Sequence, residues 1–295
     1  MAELRGDQAA GLRRLLRRPQ LRVVAFAAGS AGVGKSVAVA NLAASLATRG
    51  REILVVDENT EGTIAAFFGA LAVHDLQQVI HREKRLSEVL LAVAPGIRIL
   101  PAARVVAQLG RLSDGEQGVL LTCLAEIVPP PDVVLVDASP DHPLGFSPLG
   151  LAAHDTVIVV SPDVPAITEA YALIKKVSLG YARKHFRILV NKARSSREAQ
   201  AIHDNMARVC GSRRLAQLDY AGQVPVDEPL RQASRLCQPV AALYPDSPAA
   251  RAYQTLADEL LNWPAGDGDG GGGLEDFVQQ LLHLSQRINS TAIYA

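Results

Sequence analysis

The chain has 295 residues, of which 48% are hydrophobic, so it is long enough for one large α/β domain with appendages and too apolar for global disorder. Its 30 basic and 30 acidic residues balance, which gives no support for bulk binding of nucleic acid. The sequence contains no apolar run of about 18 residues, the length that would indicate a membrane-spanning helix. Its three cysteines are widely separated and have no metal-ligand spacing, which indicates a reduced, cytoplasmic protein.

Residues 1–19 form a basic segment that predicts a short N-terminal helix. Arginines crowd positions 13–18, and Leu12, Leu15 and Leu16 form a small apolar patch suited to docking on a protein or on an anionic surface. A frayed terminal helix with solvated arginines is the alternative that these residues leave open.

The segment Gly29–Ser36 reads Gly-Ser-Ala-Gly-Val-Gly-Lys-Ser and fits the pattern G-x-x-x-x-G-K-[ST] at every fixed position. A buried strand is predicted before it and a helix after it, which is the context typical of a phosphate-binding loop. Backbone N–H groups and the helix N-terminus would attract phosphate oxygens, Lys35 would neutralise the β- and γ-phosphates, and the Ser36 hydroxyl would ligate Mg²⁺. The predicted nucleotide site includes Ala31, Gly32, Val33, Gly34, Lys35, Ser36 and Val37.

Alternating apolar runs and helical patterns continue for about 240 residues, which is typical of an α/β fold with a mostly parallel central sheet and helices on both faces. The predicted strands are Leu21–Ala27, Glu52–Asp57, Ile97–Leu100, Val133–Asp137, Thr156–Ser161 and Phe186–Asn191, with a short one near Gln217–Tyr220. The predicted helices are Lys35–Thr48, Gly115–Ile127, Ile167–Leu179, Ser196–Cys210, Pro229–Leu236 and Ala249–Leu261. Residues 62–116 give the least clear pattern, and we expect two helices there.

Polar residues end two of the predicted strands. Asp137 ends an apolar strand in the manner of a Walker B carboxylate, which would hold Mg²⁺ through water near Ser36. Asn191 ends another strand and would therefore lie at the ligand edge of the same sheet.

The composition changes at Trp263, where a Gly-rich linker over residues 264–273 leads to a helix and tail over residues 274–295. The apolar residues of this helix share one face, and they are Leu274, Phe277, Val278, Leu281, Leu282 and Ile288. That face must be buried on a membrane surface, on the parent domain or on a protein partner. Its polar face carries two acids, Glu275 and Asp276, and one base, Arg287. Such a shortage of cations is atypical for a helix that lies on anionic lipid.

Over residues 7–261 the chain resembles the MinD/ParA class of P-loop ATPases, and within that class the FlhG (FleN) regulators of flagellar number. The stretches that carry the resemblance are Asp7–Arg13, which matches D-Q-A-x-x-L-R, Val133–Asp137, Ser161–Lys175, and Leu189–Asn191 with Gln223–Leu230. The resemblance implies a MinD-like P-loop domain over residues 20–263, with the N-terminal and C-terminal helices appended to it, that binds ATP or ADP with Mg²⁺. It also favours Thr168 as the cap of the helix that follows Ser161.

The resemblance further implies an ATP-dependent switch at the membrane that regulates flagellar number or placement. Gln8, Leu12 and Arg13 would stimulate an FlhF-like GTPase of the signal-recognition type, and flagellar basal-body or transcription-regulator proteins would be further partners. The C-terminal helix would place the protein at the inner face of the cell membrane. Its membrane-inserting residues would be Phe277, Val278, Leu281 and Leu282.

By the same resemblance Asn191 would hydrogen-bond the base, and the residues from Pro225 to Asp227 would line its pocket. The catalytic positions would be Lys35, Asn59 and Asp137.

Two positions depart from the family pattern on the hydrolytic side. Ser30 stands where the family has a signature lysine that crosses a nucleotide-sandwich dimer, and Asn59 stands where an aspartate orients the attacking water. A serine supplies no cation, and an amide is a far weaker proton acceptor than a carboxylate. Strand alternation points the neighbouring Glu58 elsewhere. We therefore expect nucleotide binding with slow or absent hydrolysis, and weak ATP-driven dimerisation.

Three other functions are alternatives to this switch. A non-hydrolysing adaptor of the same fold is favoured by Asn59 and Ser30. A ParA-like partitioning ATPase would need a basic stripe on the main domain, which the sequence does not show, so nucleic acid is not an expected partner. An iron–sulfur ATPase would need bridging cysteines near the switch loops, where the chain has none.

Overall fold

The computed structural model describes residues 21–139, 146–264 and 273–292. The N-terminal helix predicted over residues 1–19, with Gln8, Leu12 and Arg13, lies outside the described residues. The strands are β1 (Arg22–Ala27), β2 (Ile53–Asp57), β3 (Leu91–Ala94), β4 (Ile97–Pro101), β5 (Val133–Asp137), β6 (Asp155–Val160), β7 (His185–Ala193) and β8 (Gln217–Pro225).

These strands form one sheet in the order β3-β4-β2-β5-β1-β6-β7-β8. Every neighbouring pair is parallel except the edge hairpin of β3 and β4. The register places Asp57 of β2 beside Asp137 of β5, so two carboxylates meet at the carboxyl edge of the sheet. The prediction of a mostly parallel sheet with helices is confirmed.

The helices connect these strands and extend the chain beyond them. They are α1 (Lys35–Ala47), α2 (Thr63–Phe67), α3 (Leu76–Ile80), α4 (Leu86–Val89), α5 (Ala103–Val106), α6 (Asp114–Ala125), α7 (Pro148–Ala152), α8 (Val164–Tyr181), α9 (Ser196–Ser212), α10 (Glu228–Arg235), α11 (Val240–Leu243), α12 (Pro248–Asn262) and α13 (Leu274–Ala292), with a 3₁₀ helix at Leu109–Arg111. Among the described residues, no helix is both long enough and apolar enough to cross a membrane.

The centre of the sheet is buried on both faces, which is why its strands read as continuous apolar runs. Every residue of β2 and β5 is buried, and in β1 this holds for all but Arg22. Each fully buried Val, Leu or Phe side chain stabilises the fold by about 1.5–3 kcal/mol. This rigid centre fixes the point from which the Gly-rich loop leaves β1.

Two local predictions were wrong. The region 62–116 holds four α-helices of four or five residues, a 3₁₀ turn and the β3–β4 hairpin rather than two helices, because elements this short show no complete hydrophobic period. Helix α8 starts at Val164, earlier than predicted, and its cap is Asp163, whose carboxylate accepts the N–H of Ala166 at 2.9 Å. Thr168 instead bonds the carbonyl of Val164 one turn back within the helix.

The end of α12 is fixed to the amino end of the sheet by charged side chains. Arg22 donates to the carbonyl of Trp263 at 2.6 Å, and the guanidinium of Arg187 lies 4.2 Å from the centre of the Trp263 ring. Asp155 lies between the two arginines, at 3.3 Å from Arg22 and 2.9 Å from Arg187. The chain before the Gly-rich linker is therefore held in place.

Helix α13 packs its apolar face on its own domain. Phe277, Val278, Leu281 and Leu282 are each at most 5% exposed, against α6, α7 and the 3₁₀ helix. The Phe277 ring also meets the ring of His154 edge-on, with 6.4 Å between centroids. The sequence left three surfaces open for this apolar face, and in the structure it is buried against the parent domain.

Candidate functional site

The loop between β1 and α1 is shaped by two glycines and tied to β7. Gly32 and Gly34 have φ of +77° and +88°, a left-handed conformation that residues with a side chain rarely adopt. Gly34 also has no room for a side chain, because a Cβ there would lie 2.4 Å from Nδ2 of Asn191. The Asn191 amide donates to the carbonyl of Val33 at 2.8 Å, which ties the loop to β7 just before α1.

The start of α1 brings three predicted residues together. The Lys35 ammonium lies 2.9 Å from Oδ1 of Asp137 and also donates to the carbonyl of Ala138. The Ser36 hydroxyl donates to Oδ2 of Asp137 at 2.6 Å. Asp137 is fully buried and Lys35 nearly so, so this charge pair is desolvated. A cation, a hydroxyl and a carboxylate thus converge at the N-terminus of α1.

Asn59 bridges the two carboxylates at the carboxyl edge of the sheet. Its Nδ2 donates to Oδ1 of Asp57 at 2.8 Å and to Oδ2 of Asp137 at 2.6 Å. Asp57 also accepts the backbone N–H groups of Asn59 and Ile64. Burial, with the like charge of Asp137 beside it, raises the pKa of Asp57 against these hydrogen bonds. Asn59 therefore acts here as a hydrogen-bond donor between two acids.

Glu58 points away from this cluster, as strand alternation predicts. Its carboxylate is 3% exposed and accepts the backbone N–H of Ser139 at 3.0 Å and the hydroxyl of Ser147. Burial raises the pKa of Glu58 to about 7, against the two hydrogen bonds that lower it. Both oxygens of Glu58 are thus engaged by serine residues outside the cluster of Asp57, Asn59 and Asp137.

The site opens into a cavity of about 820 Å³ that runs from the Gly-rich loop to the start of α10. Asn191, Pro225 and Asp227 line it, together with loop residues from Ser30 to Val37. The Asp227 carboxylate accepts the N–H of Ala249 at 3.1 Å, which ties this wall to α12. The Asn191 Oδ1 accepts the N–H of Lys192 at 3.0 Å, so both polar atoms of this amide, Nδ2 and Oδ1, already have a hydrogen-bond partner in the protein.

The residues present fit a nucleotide with a divalent cation. The Ser30 hydroxyl lines the cavity and is buried without a hydrogen-bond partner in the described part of the chain, as expected of a donor that a phosphate oxygen would satisfy. Within the described ranges no three His, Cys, Asp or Glu side chains gather to hold a metal. A cation at Ser36 and Asp137 would therefore take its other oxygens from phosphates and water, as Mg²⁺ commonly does.

Lys192, which follows Asn191 directly, was not predicted as a site residue. Its ammonium donates to the carbonyl of Gly32 at 2.6 Å, and its backbone is left-handed with φ of +59°. A basic residue next to a strand-ending asparagine was the available signal. The cavity-lining Glu61, Thr63 and Arg231 were not predicted either. Glu61 and Thr63 lie on a segment without a recognisable pattern, whereas Arg231 lies on a predicted helix whose cavity-facing side the sequence did not indicate.

Comparisons with known proteins agree with this geometry. Residues 24–239 match the family model described as the CobQ/CobB/MinD/ParA nucleotide binding domain. Over 265 residues the chain is 31% identical to the antiactivator FleN of Pseudomonas aeruginosa, across 89% of this chain and 94% of FleN. Over 243 residues it is 24% identical to the flagellum site-determining protein YlxH of Helicobacter pylori, across 82% of each chain.

The fold is similar to that of a solved septum site-determining protein, MinD from Pyrococcus horikoshii complexed with Mg-ADP. The TM-score is 0.58 at 19% identity, across 81% of this chain and 96% of that one. At this level of identity the likeness concerns the fold alone.

Proposed function

Because the chain belongs to the CobQ/CobB/MinD/ParA family of nucleotide-binding domains, we propose that it binds ATP and ADP with Mg²⁺ at the loop between β1 and α1. The observation that carries this proposal is the convergence of Lys35, Ser36 and Asp137, with contacts of 2.9 and 2.6 Å, at the N-terminus of α1. Lys35 would turn from the Ala138 carbonyl to the β- and γ-phosphates. Ser36 would ligate Mg²⁺, and Asp137 would hold it through water.

We assign the remaining contacts of the nucleotide to the cavity wall. Backbone N–H groups of the loop from Ala31 to Val37 would bind the phosphates, and the adenine would lie against Pro225 and Asp227. Asn191 has one amide hydrogen and one lone pair beyond its two protein bonds, which are enough to reach the base.

We further propose that hydrolysis is slow or absent. The residue expected to orient the attacking water is Asn59, and its amide nitrogen is engaged by Asp57 and Asp137. An amide does not take up the proton that water releases. Ser30 provides a hydroxyl where the family has a lysine, so a trans-acting cation is missing as well.

The biological role we propose is regulation of flagellar number or placement, which the names of the relatives FleN and YlxH support. The segment with Gln8, Leu12 and Arg13 would act on an FlhF-like GTPase of the signal-recognition type. Release of α13 would expose Phe277, Val278, Leu281 and Leu282 to the inner face of the membrane, so the protein would divide between cytoplasm and membrane.

The test of nucleotide binding and hydrolysis is a paired measurement on the full chain. Calorimetry gives the affinity for Mg²⁺-ATP, and phosphate release gives the turnover with and without phospholipid vesicles. We expect binding in the wild type, loss of binding in Lys35→Ala, and little turnover in either condition. Turnover at the rate of an ordinary MinD-type ATPase would contradict slow hydrolysis, and absence of binding would contradict the nucleotide site.

A second candidate is a non-hydrolysing adaptor that keeps its nucleotide as a structural element, which the bridging contacts of Asn59 favour. Binding with no turnover under any condition would support the adaptor, whereas lipid-stimulated turnover would support a cycling switch. Light scattering with Mg²⁺-ATP tests the dimer, and we expect a monomer because Ser30 supplies no cation to a partner chain.

Membrane contact is tested by co-sedimentation of the full chain with anionic vesicles, against a variant that ends at Trp263. Binding of the full chain alone would support a membrane role for α13. Equal binding of both would contradict it.

A further inference from the structure

Glu58 is a buried acid whose side chain contacts residues outside the nucleotide site. Its two oxygens hold two separate segments, since Oε2 accepts the N–H of Ser139 and Oε1 accepts the hydroxyl of Ser147. Ser139 follows Asp137 by two residues, and Ser147 is the N-cap of α7. One buried side chain thus joins the carboxyl end of β5 to the start of a helix.

The same end of β5 is held from the phosphate side by Lys35. The ammonium of Lys35 donates to the carbonyl of Ala138, the residue between Asp137 and Ser139. A bound phosphate carries more negative charge than a carbonyl oxygen and is the stronger partner for an ammonium group. Phosphate binding would therefore take Lys35 from Ala138 and change the restraint on the residue that precedes Ser139.

The path continues from Ser147 to the C-terminal helix. The Ser147 hydroxyl accepts the N–H of Gly150 at 3.2 Å, which caps the first turn of α7. Helix α7 packs against α13. A shift of the Ser147 cap therefore moves a helix that forms part of the surface on which α13 lies.

We propose that Glu58 is a positioning residue that couples occupancy of the phosphate site to helix α7 and, through α7, to the docking of α13. The proposal rests on the proposed nucleotide binding. Its basis is the continuous set of contacts from Lys35 to Ala138, then to Ser139 through the chain, to Glu58, and to Ser147. A side chain that only stabilised the fold would hold α7 equally in both nucleotide states.

The test is hydrogen–deuterium exchange of α7 and α13 in the full chain, without nucleotide and with saturating Mg²⁺ and a non-hydrolysable ATP analogue. In the wild type we expect the nucleotide to change the exchange rates of these helices by about fivefold or more. In Glu58→Gln, where an NH₂ group replaces one acceptor, we expect the analogue still to bind and this difference to disappear. Glu83→Gln, an exposed carboxylate on the loop after α3, is the matched control and should keep the wild-type difference.

Ser147→Ala provides a second, independent variant, because it removes the link to α7 and leaves the Glu58 bond to Ser139 intact. It should also bind the analogue and lose the difference in exchange. An undiminished difference in either variant would overturn the coupling, as would a wild type that binds the analogue without any change at α7 and α13. A wild type that does not bind the analogue would overturn the proposed function and the coupling together, so the two failures are distinguishable by the binding measurement.

Discussion

Replacing Asn59 by aspartate would put a third carboxylate between Asp57 and Asp137. The bridging nitrogen lies 2.8 and 2.6 Å from the two oxygens that it now contacts. With carboxylate centres about 4 Å apart and an effective dielectric of about 20, two like-charge pairs would cost about 8 kcal/mol. Taking up one proton is less costly, at about 1.36 kcal/mol for each pH unit above an ordinary aspartate pKa of about 3.9. The variant should therefore fold with one extra proton bound.

The loss of stability in Asn59→Asp depends on pH because the extra proton is harder to hold at high pH. Holding the proton costs about 1.5 kcal/mol at pH 5 and about 5.5 kcal/mol at pH 8. Loss of one of the two charge-assisted hydrogen bonds adds about 1.5 kcal/mol at either pH. Asn59→Asp should thus lower the free energy of unfolding by about 3 kcal/mol at pH 5 and by about 7 kcal/mol at pH 8.

The assay is urea unfolding of the full chain without nucleotide or Mg²⁺ at the two pH values. Asn59→Ala is the control, because it removes both hydrogen bonds without adding a charge and should cost about 3 kcal/mol at both. If Asn59→Asp is destabilised equally at pH 5 and pH 8, the new carboxylate has turned to solvent and the bridging role of Asn59 is refuted.

Three further predictions concern residues outside the nucleotide site. Burial raises the pKa of Cys123 to about 12, whereas Cys237 is exposed. A thiol reagent at pH 8 should therefore label Cys237 in the native protein and Cys123 only after unfolding, which mass spectrometry of the peptides measures. Rapid labelling of Cys123 in the native protein would contradict its burial. Burial lowers the pKa of His154 below its ordinary 6.5; nearby arginines reinforce this shift and an aspartate opposes it. The stabilising contribution of neutral His154 is therefore lost as the pH falls, and between pH 7 and pH 5.5 the wild type should lose about 1 kcal/mol more stability than His154→Asn. Equal losses in the two proteins would count against this. Arg187→Lys should cost about 1 kcal/mol and shift the fluorescence of Trp263, the chain's single tryptophan, while unchanged emission would exclude the stacking contact.

The sequence predicted the central sheet because its strands are buried on both faces and are therefore continuously apolar. It also predicted which residues gather at the Gly-rich loop, since Lys35, Ser36 and Asp137 lie at strand and helix ends that the parallel topology brings together. The exact caps and the short helices between residues 62 and 116 were not predictable, because one turn of helix contains no repeated pattern. Asp163 caps α8 because the helix already starts at Val164, which places Thr168 inside the helix.

The contacts of Asn59 and Glu58 could not be predicted either. The resemblance implied an acid at the position of Asn59, but the bridge of Asn59 between Asp57 and Asp137 depends on the register of β2 and β5. The partners of Glu58 lie about 80 and 90 residues away along the chain, and no local pattern connects them.

The anchoring of Trp263 has a consequence for anything that competes for helix α13. Arg22 holds Trp263, and the next residue, Val23, donates to His154, on which Phe277 packs. The ten residues 264–273 reach at most about 36 Å, so a detached α13 stays within a volume that corresponds to about 10 mM. A lipid surface or a partner protein must therefore outcompete the domain's own surface, which a detached α13 meets at millimolar local concentration. A detached α13 accordingly rebinds its own domain unless the competitor binds it tightly.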